Sequence, residues 1–137
     1  MITPHEALIY TMVLVSGADR DMQDVELEQI GRMVKALPAF TGYNATHLPI
    51  TARECAAVLH TEDGFGRCVA LVAAALSPRL RETAYLMACE LAAVDRKIHV
   101  EESGLLRLLR LRLGIDDLTA AALERATTAR LASAEAN

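Results

Sequence analysis

Two stretches of this chain, 76 residues apart, are written to one pattern. The first runs from Leu14 to Glu26 and the second from Glu90 to Glu102. At that offset Asp19 aligns with Asp95, Arg20 with Arg96 and Glu26 with Glu102. An apolar residue, Met22 or Ile98, sits in the middle of each polar stretch. Downstream, Ile30, Met33 and Leu37 align with Leu106, Leu109 and Leu113, at the three- and four-residue spacing of one helix face. A polar turn and a hydrophobic face shared in one register describe a repeated unit. It consists of a helix, an acidic turn whose single apolar residue plugs into the core, and a second helix. Repeat 1 covers about residues 4–37 and repeat 2 about residues 78–114. Two such hairpins are expected to pack as a pseudo-symmetric helical core, with the short helices between them covering one side.

The punctuation agrees with an all-helical chain. Thr3-Pro4-His5-Glu6 has a capping threonine, a first-turn proline and a glutamate that can reach back as a capping box. Ala7 to Val15 is apolar on nearly every face, which predicts a central, buried helix ending near Gly17. The next helix begins around Asp24 and stops at Pro38, and residues Ala39 to Pro49 read as a loop. Thr51-Ala52-Arg53-Glu54 reads as a second capping box, opening a short helix to about His60. Helices are then expected from about Phe65 to Leu76, from Ser77-Pro78 to about Ala93, and from about Val100 to Leu113. Gly114 closes that helix, and Asp116 or Asp117 caps a last one ending near Leu131. The expected fold is one all-α domain over residues 1–137 with about seven helices, and residues 132–137 fray. Leu8, Met12, Val15, Met22, Ile30, Met87, Leu91, Ile98, Leu106 and Leu109 are the expected core.

Composition excludes several function classes. Hydrophobic residues are 53% of the 137, ample for one core without a staple. The formal net charge is −4, whereas a binder of the phosphate backbone needs a basic face. Trp is absent and aromatics are 4%, too few for base-stacking platforms, so no nucleic acid is expected as partner. The longest purely apolar run, Cys68 to Leu76, is far short of the ~20 residues that cross a bilayer, so no membrane insertion is expected. Met1 to Glu6 lacks the basic region of a signal peptide. Cys55, Cys68 and Cys89 form no C-x-x-C pair and sit in apolar helical stretches, as reduced core residues do. These features fit a cytoplasmic protein.

The paired turns carry a resemblance. Ala18-Asp19-Arg20-Asp21-Met22-Gln23-Asp24-Val25-Glu26 and Val94-Asp95-Arg96-Lys97-Ile98-His99-Val100-Glu101-Glu102 resemble the twice-occurring motif Ala-Asp-Gly-x-Ile-x-x-x-Glu of the tellurite-resistance TerB family and its TerB-like relatives. The likeness extends from about Ala7 to Ile115. It implies an all-helical fold, a role in stress responses, and a metal ion chelated by acidic residues of the turns. Residue by residue, those are Asp19 and Glu26 in the first copy and Asp95 and Glu102 in the second. Arg20 and Arg96 depart from the motif, since they stand where it has glycine and set a cation beside each aspartate.

The residues themselves leave two readings. Carboxylates are hard oxygen ligands suited to Ca²⁺, Mg²⁺ or Mn²⁺, and Asp19, Asp21 and Glu26 are close enough in sequence to face a common space. Equally, Glu26 and Glu102 fall near the third residue of their helices, where a glutamate caps free amides, and Asp19 and Asp95 can shape the turn. The copies differ in charge. Asp19 to Glu28 holds five acids and one Arg, whereas Asp95 to Glu102 sets three acids against Arg96, Lys97 and His99, so a single cation would favour the first. His60-Thr61-Glu62-Asp63 matches no zinc spacing. Gly64-Phe65-Gly66 is too short for a phosphate fingerprint, and Arg107, Arg110 and Arg112 read as a solvated face. The expected function is therefore a non-enzymatic sensing or interaction module with a protein partner and no organic cofactor. The alternatives are a metal-free interaction scaffold and, further off, a metal-dependent hydrolase. The plug role makes one mutational prediction. Ile98→Ala lowers stability by roughly 2–5 kcal/mol, and a wild-type urea midpoint for that variant would refute it.

Overall fold

The computed structural model describes residues 1–17, 24–94 and 100–136. Among these, seven α-helices follow one another: α1 Pro4–Gly17, α2 Asp24–Ala36, α3 Leu48–Leu59, α4 Gly64–Ala75, α5 Pro78–Val94, α6 Val100–Arg112 and α7 Asp117–Arg130. No strand occurs among the described residues. None of these helices is long and apolar enough to cross a membrane.

Helix α1 is the axis of the fold. Every residue from Ala7 to Val15 is buried, Thr11 included. Thr11 keeps its hydroxyl satisfied by donating to the Ala7 carbonyl at 2.9 Å. A helix without a polar face must be surrounded, and α2, α3, α4, α5 and α6 all pack on it. Helix α7 packs instead on the far side of α5. The expected capping box at the start of α1 is present, with the Thr3 amide donating to Glu6 Oε1 at 2.8 Å and the Glu6 amide to Thr3 Oγ1 at 3.1 Å. The bounds of α2 and α6 fall at the same 76-residue offset as the sequence repeat.

The segment between α2 and α3 departs from the expected loop. It holds two 3-10 turns, Pro38–Phe40 and Ala45–His47, and α3 starts at Leu48 with Pro49 in its first turn. Thr51 therefore lies inside α3 and is not its cap. Its hydroxyl donates back to the His47 carbonyl at 3.1 Å and meets the Tyr43 hydroxyl at 3.2 Å. The physical reason is the proline, which needs no amide partner in a first helical turn and so lets the helix begin earlier. Phe40 is buried and stacks on His5, holding this segment against the start of α1.

Of the expected core, Leu8, Met12, Val15, Ile30, Met87, Leu91 and Leu109 are buried. Leu106 is only half-buried against the core. Leu113 and Ile115, beyond the end of α6, are buried. Met22 and Ile98 lie outside the described residues.

Two polar devices close the helix ends. Gly114 takes a φ of +70° after α6, as the sequence implied. No local sequence pattern marks Arg81 for its role. Its guanidinium donates to the Leu76 carbonyl at 3.1 Å, the Ala73 carbonyl at 2.6 Å and the Leu113 carbonyl at 3.5 Å. One side chain thus serves the C-terminal ends of both α4 and α6, which otherwise leave carbonyls unsatisfied.

At the α3–α4 corner, backbone lies directly against the Gly64 Cα. A Cβ on Gly64 would lie 2.2 Å from the Leu59 carbonyl oxygen and 2.6 Å from that of Val58. Neither neighbour is a movable side chain, so Gly64→Ala is expected to lower stability by about 1–3 kcal/mol. A thermal melt unchanged from wild type would show that the corner relaxes freely.

Candidate functional site

Each acidic turn is bracketed by two helix ends. Helix α1 stops at Gly17 and α2 starts at Asp24, while α5 stops at Val94 and α6 starts at Val100. In both cases the third residue of the second helix is a glutamate, Glu26 or Glu102. Free amides and the positive end of the helix dipole favour a carboxylate there. Glu26 is half-buried, and the adjacent Leu27 packs against the core. Asp19, Asp21, Asp95 and the side chain of Glu102 lie outside the described residues. Of the five carboxylates named from sequence, Glu26 alone has a described side chain.

The other candidates separate in space. His60, Glu62 and Asp63 are all exposed at the α3–α4 corner, where Asp63 adopts a φ of +53° to turn the chain. Among the described residues, no three His, Cys, Asp or Glu side chains come together as a group that could hold a metal ion. The arginines of α6 are not uniformly solvated. Arg110 donates to Asp117 Oδ1 at 2.8 Å and is mostly covered, whereas Arg107 and Arg112 are exposed. The aspartate at the start of α7 draws Arg110 out of the solvated row, and this pairing joins the two helices.

Sequence reasoning also missed the polar seam between α5 and α7. The Tyr85 hydroxyl donates to Glu124 Oε2 at 2.5 Å, and Arg130 Nε donates to Glu90 Oε1 at 2.5 Å. The signal was present in α5, whose mostly apolar run is interrupted at Tyr85 and Glu90, but the partners are 39 and 40 residues away. Burial, assisted by the bond to Glu124, holds the Tyr85 hydroxyl well above its usual range. Burial likewise pushes the Cys89 thiol to about 11.

A second buried group lies where α1, α3 and α4 meet. Cys55 Sγ donates to the Tyr10 carbonyl at 4.0 Å, and Cys68 Sγ to the Cys55 carbonyl at 3.9 Å. The hydrogen bond with Cys68, and then burial, push the Cys55 thiol far up. Burial first, and then the neighbouring Cys55 and Glu54, push the Tyr10 hydroxyl to about 12. All three cysteines are free and buried, as expected from sequence. Raised values keep Cys55 and Cys89 as neutral thiols near neutral pH, and a neutral thiol is a poor nucleophile.

The family model described as "Tellurite resistance protein TerB" matches residues 5–125, a span that includes both acidic turns. No curated protein and no solved structure gives a match.

The buried acids set an alkaline limit on stability. Cys89 moves from 9.0 unfolded to about 11 folded, and Tyr10 from 10.0 to about 12. A folded value above the unfolded one means that folding retains the proton. The contribution is complete below the unfolded value and is lost as pH rises through the folded one. Urea midpoints should therefore be insensitive to these two groups up to about pH 9 and fall between about pH 9 and 12. Cys89→Ala should make the fall between about pH 9 and 11 shallower, and an unchanged fall over that window would sink the assignment.

Proposed function

Since the chain belongs to the TerB family of tellurite resistance proteins, we propose that it is a cytoplasmic stress-response domain that binds a divalent cation at its first acidic turn and acts as a sensing or interaction module. The observation that carries this reading is the overlap of the family match with the acid-rich run Asp19–Glu28. Five carboxylates within that run repel one another, and a cation between them relieves the repulsion. The donor set is all oxygen, so the ion is Ca²⁺, Mg²⁺ or Mn²⁺. Asp19, Asp21 and Glu26 are its ligands, with Asp95 and Glu102 forming a weaker second site. Arg96 and Lys97 already offset much of the charge there. The reading assigns the chain no reaction.

A ligand that binds only the folded state raises apparent stability with the logarithm of its concentration. The melting temperature should rise in millimolar Ca²⁺, Mg²⁺ or Mn²⁺ at fixed ionic strength. Asp19→Asn should remove most of the rise and Asp95→Asn less of it. General screening acts on both turns and does not distinguish ions. An equal rise in matched NaCl, or one that survives Asp19→Asn combined with Glu26→Gln, would replace this reading with a metal-free scaffold.

A further inference from the structure

Helix α6 carries leucines on two faces, and among the described residues only one of these faces packs against the core. Inward, Leu109 is fully buried and Leu105 and Leu106 are half-buried against the core. Outward, Leu108 is 36% and Leu111 59% exposed. Leu108 and Leu111 stand four and seven residues after Gly104, the spacing of a single helical stripe, and Arg107 lies on the same side. Isolated exposed leucines are ordinary. Two on one stripe, on a helix that already has its core face, form a second seam.

Gly104 adds to this. It sits inside α6 with no left-handed backbone requirement, and a Cβ built on it would meet nothing within 4 Å. A glycine inside a helix costs about 1 kcal/mol relative to alanine, and nothing in the packing of the described residues needs one here. A bare backbone on an outward apolar stripe permits close approach by another chain.

Charge identifies what approaches. From Gly104 to Ile115 the chain carries three arginines and no acid, although its net charge is −4. Arg110 is engaged by Asp117, while Arg107 and Arg112 are exposed beside the leucines. A second copy of α6 centred on Leu108 and Leu111 would set Arg107 against Arg107 or Arg112. A helix with its own apolar stripe flanked by Glu or Asp would satisfy both the leucines and the cations. We propose that the outward face of α6, built on Gly104, Leu108 and Leu111 beside Arg107 and Arg112, docks an acidic amphipathic helix of a partner protein. This names the partner chemistry of the interaction role proposed above, and it does not require the cation.

The test uses the full chain and a labelled synthetic helical peptide with leucines at i, i+3, i+4 and i+7 flanked by glutamates. A matched peptide carries lysines in place of the glutamates. Fluorescence anisotropy should show saturable binding of the acidic peptide, weakening with salt, and at least about tenfold weaker binding of the lysine peptide. Leu111→Ser should weaken binding about tenfold or more, and Arg107→Ser with Arg112→Ser should flatten the salt dependence. Ile50→Ser, which alters an exposed isoleucine on α3, should leave binding unchanged. Gly104→Ala gives a readout that a purely structural role would not: the melting temperature should rise while binding weakens. Binding in EDTA would support the surface even if added cations fail to move the melting temperature, so the two proposals can fail separately. Equal affinity for both peptides, binding unaffected by Leu111→Ser, dimerisation through these residues, or binding to phosphatidylserine vesicles with none to the peptide would each overturn it.

Discussion

A helix with no polar face cannot lie on a surface, and α1 is such a helix. From Ala7 to Val15 its only polar side-chain groups are the hydroxyls of Tyr10 and Thr11, and all nine residues are buried. Each buried aliphatic side chain of this size contributes roughly 1.5–3 kcal/mol when removed from water, so the chain must supply enough neighbours to cover every side. It does so with α2, α3, α4, α5 and α6. The short helices in the middle of the sequence exist in this role, as staves around an axis. Their corners can therefore be tight, as at Gly64, where backbone comes against backbone.

Crowding helices around one axis brings their ends together, and the ends are polar. Arg81 resolves this on one side by donating to the carbonyls that finish α4 and α6. On the outer side, α5 has apolar surface left after packing on α1, and α7 covers it. The seam is registered by Tyr85 with Glu124 and by Glu90 with Arg130. Glu90 is 13% exposed at its side chain, so its pairing matters more than that of a surface ion pair such as Arg32 with Glu28 at 3.9 Å. Polar chemistry inside this fold serves assembly, since burial holds Tyr10, Tyr85 and Cys89 in their neutral forms.

The acidic stretches fall between helices in the sequence. They join helix ends, and their glutamates occupy the third position of the following helix, where capping and cation binding both use a carboxylate. The two uses are compatible, because a carboxylate has two oxygens and one suffices for an amide. The outward seam of α6 lies on that helix's face away from its core contacts. The two proposed features are thus a turn chemistry set by charge, foremost between α1 and α2, and a helix surface set by the exposed leucines of α6.

Much of this was legible in the residues. The all-α class, the limits of α1, α4, α5, α6 and α7 and the capping box at Thr3 follow from local rules: period, proline, glycine and caps act within a few residues. The buried state of Leu8, Met12, Ile30 and Leu109 follows from the same periodicity. The start of α3 was misread because Pro49 can open a helix as readily as it can end a loop, and only packing around Thr51 and Tyr43 selects between them. Leu106 was placed too deep because periodicity gives the direction of a stripe, not how far its neighbours close over it. Arg81, the Tyr85–Glu124 pair and the exposed stripe of Leu108 and Leu111 were decided by tertiary structure alone. Arg81 joins nearby Leu76 and Ala73 to Leu113, 32 residues away, Tyr85 meets Glu124 39 residues away, and no described element covers Leu108 and Leu111. For the site, the sequence determined which carboxylates cluster in the chain, because that is a matter of spacing. Where a side chain such as Glu26 sits relative to the core is a matter of how α2 lies on α1, which no local pattern encodes.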